Sequence, residues 1–393
     1  MTDMKIVHCV ESYYPNVGGM QEVVKQLSER LAKLGHQVTV ATRYNPDRNF
    51  TELNGVKIEA FRIVGNPRKV ESEEDQRYVD YLLNLDADVV TFFAAQQWAT
   101  NLALPILGKI KAKKVSVPTG YSGLYWPEFK DYFEDMKTQI HGYDMNVYLS
   151  HDYRDINFAR ENKVKHMTVI PNGAAEDEFL PDTTMDVRKE LGIPKDDFLL
   201  LLVGSYTGWK GHKEAIELFL RSNLKHATLL MIGNNYEYFK RQYVKHPKLF
   251  FLMLMSKLFS SKKVIFNYFP RKFTVAAYKQ ANLFLFPSNV ECSPIVLFEC
   301  AAAKLPFIST DVGNTPEIAQ WTKGGLIMPT TKDEGGFSHV NIGEGVKMLN
   351  QLYADGQKRK QMAEESFAIW KQKYSWEVIT KEYEQLYLNL ING

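Results

Sequence analysis

The sequence predicts an α/β protein of two doubly wound, Rossmann-like domains. Three observations predict it. A strand, glycine turn, helix and second strand open the chain; short apolar runs alternate with helical stretches along its length; and the pattern restarts at 198–204, after Asn172-Gly173 and an acidic, proline-containing stretch. At 393 residues the chain is long enough for two cores.

Residues 4–10 are apolar and partly β-branched, which reads as a strand. A loop holding Pro15, Gly18 and Gly19 follows. Val23, Leu27, Leu31 and Leu34 then recur at helical spacing until Gly35 stops the helix before a strand at 37–42. That βαβ order demands a parallel sheet with a right-handed crossover. Further strands are expected at 57–63, 88–93, 114–118, 144–150 and 167–171. In the second half they fall at 198–204, 227–233, 264–266, 283–286, 307–310 and 326–328, with helices at 210–221 and around 276–279. The tail from 345 to 392 is helical by periodicity, and Trp376, Tyr383 and Leu386 are placed to pack a returning helix. The expected domains are 1–172, 173–374 and a C-terminal helix, 375–393, packed back on the first.

Hydrophobic residues at 45% and charged residues at 24% describe an ordinary globular protein, and a formal net charge of +2 argues against nucleic acid as a partner. Cys9, Cys292 and Cys300 have no metal-ligand spacing and leave an odd thiol, which points to a reducing cytoplasm. His8, His141 and His151 likewise show no metal spacing. No signal peptide is apparent, and no apolar run reaches the roughly 20 residues a spanning helix needs.

The most informative stretch is 283–303. Leu283 to Phe286 suits a buried strand, Pro287-Ser288-Asn289 breaks it, and Ser293-Pro294 reads as a hydroxyl N-cap followed by proline at the first helical position. The helix that follows is apolar on every side, so Glu299 within it costs desolvation unless something specific partners it. Ile295 and Glu299 lie on one face, about 6 Å apart along the axis. Backbone N–H groups at the helix start, around Ser293, Ile295 and Val296, can bind an anion. A diphosphate joined to a ribose fits that spacing, with the ribose hydroxyls on Glu299 and with Glu291 facing whatever lies beyond the phosphates. The alternatives are a buried structural carboxylate for Glu299 and a solvent-facing one for Glu291.

Glu291 and Glu299, separated by seven residues after a Phe-Pro-Ser strand end, together with Gly313-Asn314-Thr315-Pro316-Glu317, resemble the E-x7-E region of the retaining nucleotide-sugar glycosyltransferases of family 4. The likeness extends over nearly the whole chain. It implies the GT-B fold, with two domains facing each other across a cleft, and a nucleotide-sugar donor. It also implies no need for a metal or other cofactor, a glycan or lipid-linked acceptor, and a glycine loop, here Gly18-Gly19, beside the reacting phosphate. On sequence alone that glycine pair reads equally as a tight turn.

Lys210, in the loop between the 198–204 strand and the next helix, is a cation that could neutralise a leaving diphosphate; a solvated lysine is the alternative. The family pairs it with an arginine, but Ser205 stands there, so charge neutralisation rests on Lys210, backbone dipoles or a neighbour such as Arg271. Thr119 replaces a histidine usual near the donor sugar. Threonine can hydrogen-bond but cannot act as a base. Expected catalytic residues are therefore Lys210 and Glu291, and expected donor-binding residues are Gly18, Gly19, Thr119, Ser205, Arg271, Ser293, Ile295, Val296 and Glu299. Aromatics at 96–98 and 121–126 suit an acceptor sugar.

Residues 236–263 combine an apolar core, Leu249 to Met255, with flanking lysines and arginines. That composition fits a peripheral contact at the inner face of a membrane, or a packed helix with a basic solvated face. The resulting expectation is a cytoplasmic, retaining, metal-independent hexosyltransferase. A non-catalytic sugar-nucleotide-binding subunit, and more distantly a nucleotide-sugar epimerase, are the alternatives.

Overall fold

The computed structural model describes residues 3–237, 241, 246, 247, 251 and 261–393. The chain divides into two compact units, Met1–Asn172 with Trp376–Gly393, and Gly173–Ser375.

Unit 1 is built on eight strands: β1 Lys5–Cys9, β2 Gln37–Arg43, β3 Glu52–Leu53, β4 Val56–Phe61, β5 Val89–Phe93, β6 Lys113–Val117, β7 Met145–Tyr148 and β8 Met167–Val169. Their order is β3-β4-β2-β1-β5-β6-β7-β8, parallel throughout except for β3 with β4. Helices α1 Gly19–Lys33, α2 Glu73–Leu83, α3 Lys130–Gln139 and α4 Arg154–Glu161 cover it. The chain runs outward from β1 to β4 and restarts on the other side of β1 with β5. The strand order therefore reverses between β1 and β5, where carboxyl-end loops part and leave a crevice.

Unit 2 repeats the design with β9 Phe198–Val203, β10 Ala227–Ile232, β11 Lys262–Asn267, β12 Leu283–Phe286, β13 Phe307–Thr310 and β14 Gly325–Met328, all parallel in the order β11-β10-β9-β12-β13-β14. The reversal here falls between β9 and β12. Helices α5 His212–Arg221, α6 Arg271–Gln280, α7 Ile295–Ala302, α8 Thr315–Thr322, α9 Ile342–Ala354 and α10 Gly356–Ile369 surround the sheet. Strands such as Leu199 to Leu202 are buried on both faces, which is why they read as unbroken apolar runs. A short antiparallel hairpin, β15 Thr330–Lys332 with β16 Ser338–Val340, was not legible. Its polar, three-residue strands carry no apolar alternation.

The last helix, α11 Trp376–Asn392, belongs to unit 1. Trp376 and Tyr383 are buried as expected, but the third anchor is Tyr387 and not the half-buried Leu386, because the helix turns its i+4 position inward. The Tyr387 hydroxyl lies 2.8 Å from Thr91 Oγ1 and 3.3 Å from His8 Nε2, while His8 Nδ1 meets the Ser28 hydroxyl at 2.7 Å. Burial pushes the His8 pKa down to about 3, so the ring is neutral and pairs with hydroxyls. Arg30 with Glu377 and His36 with Glu384 fasten the same helix to α1 and its C-terminal turn. Tyr387→Phe should cost about 1–2 kcal/mol in chemical denaturation, since it strands buried hydroxyl and imidazole partners without emptying the site.

Among the described residues no helix is long and apolar enough to cross a membrane. Of the apolar core of the 236–263 segment, only Phe251, which is exposed, is among the described residues; the rest lies outside them.

Candidate functional site

In unit 2 the loops leaving β9 and β12 flank the point where the strand order reverses, and they carry Lys210 and Glu291. Lys210 Nζ donates to Glu291 Oε1 at 2.6 Å, with Glu291 only 10% exposed. The buried Ser288 hydroxyl lies 2.8 Å from the same carboxylate oxygen and 3.1 Å from the Trp209 carbonyl. The two residues singled out for chemistry therefore hold each other across the crevice.

Several bonds fix the 287–293 loop. The Asn289 amide donates to the Trp209 carbonyl at 2.9 Å, and Asn289 exchanges two 2.8 Å bonds with Ser338 of the hairpin. The Thr310 hydroxyl donates to the Ser288 carbonyl at 2.6 Å, and Phe337 of the hairpin stacks on Trp209 at 4.7 Å. Gly211 is the close approach between the two loops: its φ is +68°, and an added Cβ would lie 1.8 Å from the Pro287 carbonyl oxygen. Gly211→Ala should therefore destabilise the protein by about 2–4 kcal/mol, by left-handed strain plus overlap with backbone. A denaturation midpoint checks this, and turnover should fall with it because Lys210 is the adjacent residue.

The start of α7 differs from its expected form. Pro294, at φ −70° and ψ 114°, is itself the cap position, with no side chain capping the helix. The Ser293 hydroxyl is not the cap; it accepts from Asn314 Nδ2 at 3.2 Å, because Gly313 at φ +55° brings the 311–314 loop against Cys292. The first helical N–H groups thus have no side-chain acceptor from the cap residue, and Ile295 and Val296 are half-buried where the rest of the helix is buried.

Glu299, 3% exposed, meets Arg271 Nη2 at 2.6 Å through Oε1. Arg271, the first residue of α6, also donates to both oxygens of Glu178, at 3.1 and 2.5 Å. Partial burial opposes the guanidinium charge, but Glu299 and then Glu178 outweigh it and hold the charge firmly. Arg271 thus orients the Glu299 carboxylate. Glu178 could not be foreseen, since 93 positions separate it from Arg271 and its acidic neighbourhood reads as a linker. Ser205 lies in the 204–211 loop, where its carbonyl accepts from the Thr207 amide at 2.8 Å.

Two family models match consecutive parts of the chain: Glycosyltransferase Family 4 over residues 17–178, and Glycosyl transferases group 1 over residues 184–367. The chain belongs to the GT-B glycosyltransferases. An uncharacterized glycosyltransferase of Methanocaldococcus jannaschii is 25% identical over 98% of each chain. Among solved structures, sucrose-phosphate synthase of Thermosynechococcus elongatus aligns with a TM-score of 0.78 at 17% identity, covering 98% of this chain and 99% of that one. Anabaena Alr3699/HepE, in complex with UDP-glucose, aligns with a TM-score of 0.73 at 15% identity over 98% and 99%.

The remaining expected site residues of this glycosyltransferase belong to unit 1. Gly18 caps α1 with an extended backbone, φ −177° and ψ 169°, and without a side-chain hydrogen bond; an added Cβ at Gly19 would meet nothing within 4 Å. Neither glycine is a left-handed turn position; a Cβ at Gly18 would overlap the Gln21 side-chain amide, so the open space at the start of α1 is at Gly19. Thr119 and Gly120 follow β6 with φ +57° and +84°. The aromatics proposed for sugar stacking divide in two. Trp98 and Tyr121 are buried in the unit 1 core and cannot stack on a ligand, whereas Tyr125 is 65% and Trp126 37% exposed. An aromatic near a strand end serves core or surface according to its direction, which composition does not encode. Among the described residues no group of three or more His, Cys, Asp or Glu side chains could hold a metal ion.

Proposed function

We propose that this glycosyltransferase is a retaining, metal-independent hexosyltransferase that moves a sugar from a nucleoside diphosphate sugar to a hydroxyl of a glycan or lipid-linked acceptor. One observation carries the reading: α7 opens without a side-chain cap, and four residues on it buries a glutamate held in place by an arginine. A diphosphate suits the bare N–H groups and the helix dipole. The ribose hydroxyls suit Glu299, whose carboxylate has about four acceptor positions, with Arg271 on one and the buried Tyr278 hydroxyl nearby. UDP-glucose bound to the HepE relative supports this class of donor.

Lys210 supplies the cation for the departing diphosphate, and Glu291 holds that cation until the donor competes for it. Ser205 and the backbone N–H groups around it, with Ser293, Ile295 and Val296 at the start of α7, line the phosphates. Gly18 and Gly19 admit the donor closely, and Thr119 hydrogen-bonds its sugar. Tyr125 and Trp126 offer exposed rings to an acceptor. Work at the inner face of a membrane belongs to the same reading, through the 236–263 segment.

The test is a thermal-shift panel of uridine, guanosine and adenosine diphosphate sugars, followed by donor hydrolysis with the best binder. A raised melting temperature with one base and slow release of nucleoside diphosphate and free sugar are expected. Isomerised sugar would replace this reading with an epimerase. Binding without turnover, with or without acceptor extracts, would replace it with a binding subunit, and neither binding nor release would remove it.

A further inference from the structure

Backbone strain in unit 1 is concentrated beside the reversal of strand order. Ala94 and Gln96 follow β5 at φ +62° and +60°, and Thr119 and Gly120 follow the neighbouring β6 at +57° and +84°. Lys163, Lys304 and Lys323 adopt positive φ at or just past helix C-termini, and Asn54 does so in the β3–β4 turn, where such conformations are routine. A β-branched threonine in this region is unfavourable and persists only where its surroundings over-determine it.

The determinant is Asp155. Its side chain, 1% exposed, reaches from the first turn of α4 so that Oδ2 accepts the Gly120 amide at 2.8 Å and Oδ1 accepts the Ile156 amide at 2.9 Å. The two strained loops are also joined to each other. The Ala94 amide donates to the Val117 carbonyl at 2.9 Å, the Ala95 amide to the Pro118 carbonyl at 3.1 Å, and the Gly123 amide to Gln96 Oε1 at 3.2 Å.

We propose that Asp155 is a positioning residue for sugar transfer, clamping the Thr119-Gly120 turn in its left-handed form so that the Thr119 hydroxyl is held ready for the donor sugar. This rests on the donor-binding role proposed for Thr119. The clamp is costly. No cation pairs with Asp155 among the described residues, and the titratable groups near it are the buried hydroxyls of Tyr121, in the loop after β6, and Tyr148 of β7, which its negative charge helps keep protonated. Burial pushes its carboxyl up to about 6, with the backbone N–H bonds opposing. An acid whose folded pKa is raised weakens the fold as pH climbs from about 4 through 6, and above that the penalty is complete. A group kept only for packing would not need the charge. Two converging N–H donors do need it, because an asparagine can accept from one but presents its own NH₂ to the other.

The experiment compares wild type, Asp155→Asn and Asp155→Ala by hydrogen-exchange mass spectrometry and by donor hydrolysis at pH 7.5, a pH chosen so that the carboxylate is charged. In Asp155→Asn, which preserves shape, exchange across 117–124 should quicken about tenfold. Turnover at saturating donor should fall about tenfold with KM little changed, as misplacement of a positioned group predicts, and the melting temperature should equal or exceed that of wild type. Asp155→Ala should deepen both effects. Wild-type exchange in that segment, or wild-type turnover in both variants, would overturn the proposal, as would a fall in melting temperature accounting for all lost activity. A wild-type protein that binds and hydrolyses no nucleotide sugar would remove the transfer reading and this role together, while altered exchange would still identify Asp155 as what holds the turn.

Discussion

Lys210→Ala is expected to lower turnover at saturating donor by about 10²–10³-fold, the loss typical when one preorganised group that stabilises transition-state charge is removed. Lys210 Nζ sits 2.6 Å from Glu291 Oε1, and that carboxylate is only 10% exposed. Deleting the ammonium removes the cation a departing diphosphate needs and leaves a sheltered anion at the same place, with the Ser288 hydroxyl in reach. Attraction turns to repulsion at the step where negative charge develops, so kcat should suffer more than donor affinity. Lys210→Arg keeps the charge but must fit a planar fork beside Gly211, and should recover only part of the loss. Steady-state kinetics with saturating donor decide it: turnover within threefold of wild type would mean that Lys210 is a loop lysine tethering Glu291 and nothing more.

The second large effect is expected at Glu299. Glu299→Ala should raise the donor dissociation constant by about 10–100-fold, the equivalent of losing one charge-assisted hydrogen bond of about 1.5–3 kcal/mol. Turnover at saturation should change little, because ribose contacts are made in ground state and transition state alike. Breaking a buried ion pair can unfold a protein. Here Arg271 keeps Glu178 at 3.1 and 2.5 Å and its side chain is 38% exposed, so the charge left behind is neither unpaired nor sealed from water. Glu299→Gln, which keeps the shape and one acceptor, should fall between wild type and alanine. Isothermal titration with the nucleoside diphosphate alone reads the effect without any acceptor. An unchanged dissociation constant in both variants would leave Glu299 as a structural anchor for Arg271.

Much of the fold was legible for local reasons. The strand at Leu283–Phe286 and the helix after it announce themselves through an apolar run, a Pro-Ser-Asn break and a proline at the turn. Lys210 and Glu291 could be singled out because charged side chains just beyond buried strands stand where α/β sheets bind ligands. The partners of these residues were not legible. Nothing near Glu178 shows that it grips Arg271, Ser288 reads only as a strand breaker, and the hairpin that places Phe337 on Trp209 is too short and polar to show a period. The Ser293 cap failed for the same reason: a hydroxyl beside a helix is a cap only if no better donor finds it, and Asn314 does. Asp155 reads as one more acidic residue at a helix start until the Gly120 amide is seen to aim at it.

The sequence by itself determined the alternation of strand and helix, the restart after Asn172-Gly173 and the residues that end each strand, because spacing and turn chemistry act within a few residues. Tertiary structure decided which charges meet. Lys210 and Glu291 stand 81 positions apart, and they touch only because β12 returns to lie beside β9 after β10 and β11 have been laid down on its other side. Strand order is set by burying both faces of the sheet at once, a balance summed over the whole unit, and no stretch of chain carries that sum within itself.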